Sequence, residues 1–245
     1  MPAVVEFDSV TKHYPLYHLF SGGLKSFLTD LPSRLRRLRK ERFTALEKIS
    51  FSIRRGESVA IIGRNGAGKS TILGLIAGVI KPSEGFVRVH ERVSPLLELG
   101  GGFHPDLTGR ENVLLNGVLM GLSRSEVRSR LDAILDFTEL GDFVDQPIRT
   151  YSTGMLARLG FSVITQIQPK LLLIDEVLAV GDDAFRRKCY DLIEKFRRQG
   201  VTIVFVSHSA SEVDRLCHRA IWIDDHRVRA DGDARSVLAQ YHASF

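Results

Sequence analysis

The run Gly63-Arg64-Asn65-Gly66-Ala67-Gly68-Lys69-Ser70-Thr71 decides the fold of this chain. It has the spacing G-x-x-x-x-G-K-[ST], with a further glycine at Gly66, and its flanks suit such a loop. Ahead of it Ser58–Ile62 (Ser-Val-Ala-Ile-Ile) reads as a short buried strand, and behind it residues 71–79 read as a helix. A strand–loop–helix unit of this kind wraps backbone N–H groups around the β- and γ-phosphates of a nucleoside triphosphate. That calls for residues without a Cβ where backbone meets phosphate, and the helix N-terminus adds partial positive charge. Lys69 is placed for the β/γ-phosphates, and Ser70 for putting its hydroxyl on Mg²⁺. A glycine-rich turn that binds nothing is the alternative; strand, loop, Lys-Ser-Thr and helix in series weigh against it. All of residues 63–71, Arg64, Asn65 and Ala67 included, form the candidate nucleotide loop.

At 245 residues the chain fits one large α/β domain, residues 1–245, with room for an inserted lobe. Its 44% hydrophobic content and mean hydropathy near zero describe a soluble globular protein with a substantial core. No run of about eighteen apolar residues exists, so no membrane span is expected. The start, Met1-Pro2-Ala3-Val4-Val5-Glu6, has neither the charge nor the apolar core of a signal peptide. Cys189 and Cys217 are far apart and in no metal-ligand spacing, and read as reduced thiols. Residues 31–42 carry six basic side chains against Glu41 alone, a net +5 that equals the excess of the whole chain. A general nucleic-acid surface is therefore not indicated; one local basic patch is.

Residues 4–10 alternate loosely and read as an edge strand, and strand character resumes over residues 43–51. Between them residues 17–42 read as a basic amphipathic insertion. Leu24, Phe27, Leu28 and Leu31 fall at helical spacing, Pro32 punctuates them, and Leu31, Leu35 and Leu38 continue the stripe among arginines. A solvated surface helix is one reading of this insertion; contact with lipid headgroups or an anionic substrate is the other, and the charge density favours it. Residues 85–89 read as a strand and residues 93–99 as a further apolar run. Thr108 with Glu111, and Ser123 with Glu126, have capping-box spacing and open helices running through Met120 and Leu135. Residues near 104–168 thus read as a helical lobe between strands. Within it Tyr151-Ser152-Thr153-Gly154-Met155 leads into a helix over residues 156–166, whose N-terminus is a second anion site.

Fifteen residues further on, Leu171-Leu172-Leu173-Ile174-Asp175-Glu176 reads as a buried strand ending in two acids. Ligands of open α/β sheets bind at that end of the strands. Asp175 is the candidate for the Mg²⁺ shell, and Glu176 for polarising the water that attacks the γ-phosphate. Two acids that merely finish a strand are the alternative. Residues 201–206 read as one more buried strand, with His208 just past its end on the same edge.

Together these motifs resemble the ATP-binding subunit of ABC transporters over essentially the whole chain. Residues 63–71 match Walker A, and residues 171–176 match Walker B with its catalytic glutamate. Tyr151–Met155 resembles the Leu-Ser-Gly-Gly-Gln signature, with Thr153 and Met155 in place of Gly and Gln, and with Ser152 and Gly154 kept. The resemblance implies further roles. Tyr14 takes the place of the aromatic that stacks on adenine, His208 that of the switch histidine, and Val180-Gly181-Asp182 that of the D-loop. The Q-loop glutamine is missing, and Glu98 sits nearest its place as a candidate metal contact. The implied fold is an α/β P-loop ATPase core with a mixed β-sheet, an antiparallel β region and an inserted α-helical signature subdomain. Its implied cofactors are ATP and Mg²⁺.

Tyr-Ser-Thr-Gly-Met, residues 96–112 and residues 175–182 look like the polysaccharide and O-antigen exporter subfamily, which includes teichoic-acid exporters. That subfamily carries an N-terminal insertion near the membrane, and some members add a C-terminal carbohydrate-binding domain. The implied function is ATP hydrolysis that moves lipid-linked polysaccharide across a membrane. It calls for a homodimer in which Ser152 and Gly154 of one subunit meet the γ-phosphate held by the other. The implied partners are integral-membrane permease subunits, with residues 31–42 meeting an anionic membrane surface or a lipid-pyrophosphate-linked glycan. Peripheral attachment to the cytoplasmic face of a bacterial inner membrane follows from the same resemblance. An importer ATPase and a soluble non-transport ABC protein are the rival readings.

Overall fold

The computed structural model describes residues 2–15, 42–96, 102–175, 182–207 and 209–244. Two sheets organise them. The smaller is antiparallel and three-stranded, with β1 (Ala3–Pro15) between β2 (Arg42–Arg54) and β4 (Glu84–Val89). The larger is six-stranded, in the order β5 (Val93–Leu96), β6 (Leu171–Asp175), β7 (Thr202–Val206), β3 (Ser58–Ile62), β8 (Arg219–Asp224), β9 (Arg227–Asp233). Its first five strands run parallel and β9 returns antiparallel to β8. The architecture is the α/β one expected, a mixed sheet beside an antiparallel one. One expectation fails: residues 4–10 belong to the central strand of the small sheet, not to an edge. Alternation along a strand shows which face is buried and says nothing about how many neighbours it has.

β3 and β7 are buried at every residue, as parallel strands covered on both faces must be. Alternate side chains feed two cores. On one face Ala60, Ile62, Leu172, Ile174, Ile203 and Phe205 pack against Phe185, Cys189, Ile193 and Phe196 of α6 (Asp183–Arg198). On the other, Val59, Ile61, Leu171, Leu173, Val204 and Val206 meet α1 (Lys69–Ile76) and the small sheet. Burying one such aliphatic side chain contributes about 1.5–3 kcal/mol.

A third cluster is built from α2 (Gly109–Leu119), α3 (Arg124–Ser129), α4 (Leu131–Thr138) and α5 (Thr153–Ile164). Both capping boxes form: Thr108 Oγ1 accepts from Glu111 N and Ser123 Oγ from Glu126 N, each glutamate answering on the cap's own N–H. The single helix expected from Ser123 to Leu135 is instead broken at Arg130 (φ −111°, ψ 2°). Arg130 there turns its guanidinium onto the carbonyl of Gln166 at 2.6 Å. The break also lets Val127 sit against Gly117, where a Cβ would come within 2.6 Å of a valine methyl. α7 (Ala210–Leu216) and α8 (Ala234–His242) complete the chain's helices among the described residues.

Candidate functional site

The loop of residues 63–71 leaves β3 at the C-terminal edge of the large sheet and enters α1 directly. Three of its glycines have positive φ, and two are required by space as well. A Cβ on Gly63 would lie 2.2 Å from the carbonyl oxygen of Ile223, and one on Gly68 would lie 2.5 Å from that of Ala45. Gly66 (φ 82°), which lines the cavity, has no described residue within 4 Å of its would-be Cβ. Lys69 is 7% exposed, and its ammonium donates to the carbonyls of Gly63 at 2.9 Å and Arg64 at 3.0 Å. The loop thus positions its own lysine at its throat. No acidic residue occupies the first turn of α1, so the positive end of that helix is left for an anion.

A cavity of about 630 Å³ opens over this loop. It brings together Asn65, Gly66, Gly68, Lys69, Ser70 and Thr71 with Asp175 and Tyr14, residues separated by more than a hundred positions in the chain. Strand order explains Asp175. β6 lies two strands from β3 with β7 between, about 10 Å at ordinary strand spacing, and both strands end on the same edge. Tyr14 arrives from the other sheet, near the end of β1. Two further lining residues, Phe43 and Ala45 of β2, were not foreseen. The signal was present: Phe43 opens the strand that resumes after the insertion, and closing that strand on β1 pairs Phe43 with Tyr14.

Ser152, Gly154 and Asp182 are not brought to this cavity. Ser152 is the N-cap of α5, accepting from Met155 N at 3.2 Å, and its side chain is exposed. Tyr151 beside it is buried, its hydroxyl donating to the carbonyl of Phe143, and burial pushes that phenol above its ordinary pKa. Asp182 caps α6 through Phe185 N at 2.8 Å and pairs with Arg158. Glu98, Glu176, Val180, Gly181, His208 and residues 17–41 of the insertion lie outside the described residues.

A family model described as ABC transporter matches residues 46–179. The chain belongs to the ABC transporter family. It is 54% identical over 241 residues to the O-antigen export system ATP-binding protein RfbB of Klebsiella pneumoniae, an alignment covering 98% of both. The teichoic acids export ATP-binding protein TagH of Lactiplantibacillus plantarum is 41% identical, matched over 97% of this chain and 64% of its own length. Among solved structures, an ATP-binding cassette in a dimeric post-hydrolysis state bound to ADP and Pi superposes with a TM-score of 0.74 at 25% identity. That match covers 94% of this chain and 99% of the other. The loop of residues 63–71 and the strand ending in Asp175 both lie within the span that the family model matches. Tyr151 has a local role here, tying the pentapeptide of residues 151–155 to the turn at Phe143.

Proposed function

We propose that this chain is the ATP-hydrolysing subunit of an ABC exporter that moves lipid-linked polysaccharide, of O-antigen, capsule or teichoic-acid type, across the bacterial inner membrane. The observation that carries the ATPase half is the cavity in which Lys69, Ser70 and Asp175 meet over a loop with three positive-φ glycines. The likeness to O-antigen and teichoic-acid export ATP-binding proteins supports the choice of cargo.

Lys69 and the N–H groups at the start of α1 neutralise the β- and γ-phosphates. Ser70 and Asp175 both line the cavity and bring it hard oxygen donors, a hydroxyl and a carboxylate, the set that fits Mg²⁺, which takes few protein ligands and completes its shell with phosphate oxygens and water. Bound there, Mg²⁺ supplies charge neutralisation between the β- and γ-phosphates. Glu98 is assigned a place in the same metal's outer contacts. Glu176 orients and deprotonates the attacking water, and His208 contacts the γ-phosphate.

The γ-phosphate side is completed by Ser152 and Gly154 of a second copy, with Asp182 on the same junction. Gly154 supports this. Its backbone is helical rather than left-handed, and among the described residues a Cβ would meet only Ser152 Oγ, at 3.9 Å, so none of them calls for a glycine. The path through the membrane belongs to separate permease subunits, which this chain joins peripherally from the cytoplasmic face. Residues 31–42 engage headgroups or the glycan's pyrophosphate.

Deletion of the gene in its host tests the reading, with lipid-linked glycan measured in cytosol-side and surface fractions. Polymer lost from the surface and accumulating inside is expected; an unchanged surface with no accumulation removes the polysaccharide assignment. Charge reversal of Arg34, Arg36, Arg37 and Arg39 should impair export and spare ATP hydrolysis, and normal export would return the insertion to a solvated helix.

A further inference from the structure

The strand side of the cavity is formed by Tyr14, Phe43 and Ala45, two rings and a methyl group. Tyr14 and Phe43 are direct partners across the antiparallel β1–β2 pair, so their side chains rise from one face of the sheet about 5 Å apart. Phe43 is 44% exposed, a large apolar ring turned into open space rather than into either core. Its position is nonetheless fixed. The ring of His226 stands edge-on to it, centroids 5.5 Å apart and planes at 88°. His226 is itself held twice, with Nδ1 3.2 Å from the Ala45 carbonyl oxygen and its own carbonyl accepting from Glu47 N at 2.8 Å.

The conformation of His226 is informative. Asp225 (φ 44°) and His226 (φ 64°) form the two-residue turn between β8 and β9, the mirror-image turn that glycine makes without strain. A histidine at that place carries a small conformational cost, and what it supplies in return is the ring against Phe43 and the contact to Ala45. Tyr14 is similarly engaged. The ammonium of Lys12 lies 5.0 Å from its ring centroid and is anchored on the Lys81 carbonyl at 2.9 Å.

We propose that Phe43, braced edge-on by His226, is a second aromatic wall of the nucleotide site and, with Tyr14, holds the base by ring contact. This rests on the nucleotide-binding reading of the cavity and adds to it a residue and a mode of base recognition. Ring contact reads the π-face that every base presents, so the site accepts GTP as well as ATP. A site that read the base edge by hydrogen bonds would reject the wrong purine by orders of magnitude.

The test compares ATP, GTP and inorganic tripolyphosphate binding, each with Mg²⁺, in wild type, Phe43→Ala, Phe43→Trp and His226→Gly. Tripolyphosphate engages the loop without a base. Expected are ATP and GTP affinities within about tenfold of each other in wild type, and ATP bound about 5- to 100-fold more weakly by Phe43→Ala. Tripolyphosphate affinity should stay unchanged in Phe43→Ala. Phe43→Trp should retain ATP binding, with its emission quenched by nucleotide, against a native Trp222 that is only 6% exposed. His226→Gly, whose turn glycine suits, should keep its melting temperature and weaken ATP severalfold. Unchanged ATP affinity in Phe43→Ala, an equal loss for tripolyphosphate, or rejection of GTP by more than about a thousandfold would each overturn the inference. Wild type that binds neither ATP nor tripolyphosphate would instead overturn the nucleotide reading.

Discussion

Arg158 and Asp182 form an ion pair that fastens α5 to the N-cap of α6 within one subunit. One carboxylate oxygen of Asp182 accepts from Phe185 N, capping α6, and the other receives the Arg158 guanidinium. The same guanidinium reaches Glu139 at 3.0 Å and the Thr138 carbonyl at 3.3 Å, and lies 5.0 Å over the Phe185 ring. Lys188 of α6 closes the ring of charges on Glu139. The helical lobe is thereby held to the ATPase core at the junction where two copies would exchange Ser152 and Gly154.

That arrangement has a pH signature. The Lys188 and Arg158 hydrogen bonds hold the Glu139 carboxyl below its usual 4.5, and the Phe185 N–H followed by Arg158 holds the Asp182 carboxyl below 3.8. Carboxylates with lowered folded pKa values stabilise fully above those ordinary values and lose the contribution as pH falls through the folded ones. Arg158→Met should therefore lower the melting temperature by roughly 2–6 °C near neutral pH. The gap to wild type should narrow on acidification to about pH 3. Thermal scans across that range check it; a gap independent of pH would assign the loss to packing on Phe185 alone.

Gly154→Ala separates stability from function. Among the described residues a methyl there meets only Ser152 Oγ, at an ordinary 3.9 Å, and it replaces the poorest helix former but proline, so the melting temperature should hold or rise by about 1–3 °C. On the composite-site proposal, ATP-dependent dimerisation and hydrolysis should nevertheless fall, because that proposal puts the methyl on the face offered to the partner's γ-phosphate. Light scattering with ATP and a turnover assay read the two effects. A variant that dimerises and hydrolyses like wild type would remove Gly154 from the composite site.

Much of this was legible in the sequence where one local rule decides the outcome. Ser58–Ile62 has no polar residue after its first position and so had to be a covered strand, and the Thr108/Glu111 and Ser123/Glu126 spacings specify their own hydrogen bonds. The misses required knowledge of distant neighbours. β1 gains its second partner from a strand some seventy residues later, and the helix after Ser123 breaks at Arg130, whose guanidinium reaches the Gln166 carbonyl. Phe43 escaped notice because residues 16–41 separate it from Tyr14 in the chain, whereas the pairing that joins them is a property of the folded hairpin.

The two cysteines should be chemically silent in the folded protein. Burial pushes the Cys189 and Cys217 thiols up to about 12, although the Ser58 hydroxyl lies 3.5 Å from Cys217 Sγ. At pH 8 the thiolate fraction is then about 10⁻⁴, and the thiolate is the reactive form. A thiol-specific disulfide reagent should label neither residue in native protein and both in denaturant. Fast native labelling of either would mean that α6 or the turn after α7 opens far more readily than its packing implies.

Lys69 and Glu176 should fail in different ways. Lys69, held on the Gly63 carbonyl at the loop, is assigned to phosphate binding in every state, so Lys69→Ala should weaken ATP binding and turnover together, and wild-type hydrolysis in that variant would refute its role as anchor. Glu176 is assigned to the water alone. Glu176→Gln keeps the shape of the side chain and removes the base, so turnover should fall by roughly 10²–10⁴ while ATP affinity persists. Equilibrium binding of a fluorescent ATP analogue alongside single-turnover hydrolysis distinguishes the two. On the composite-site proposal the trapped Glu176→Gln protein should also accumulate as an ATP-bound dimer, since there hydrolysis is the step that releases the interface. Loss of nucleotide binding in Glu176→Gln would contradict its assignment as general base and make it part of the phosphate or metal cradle instead.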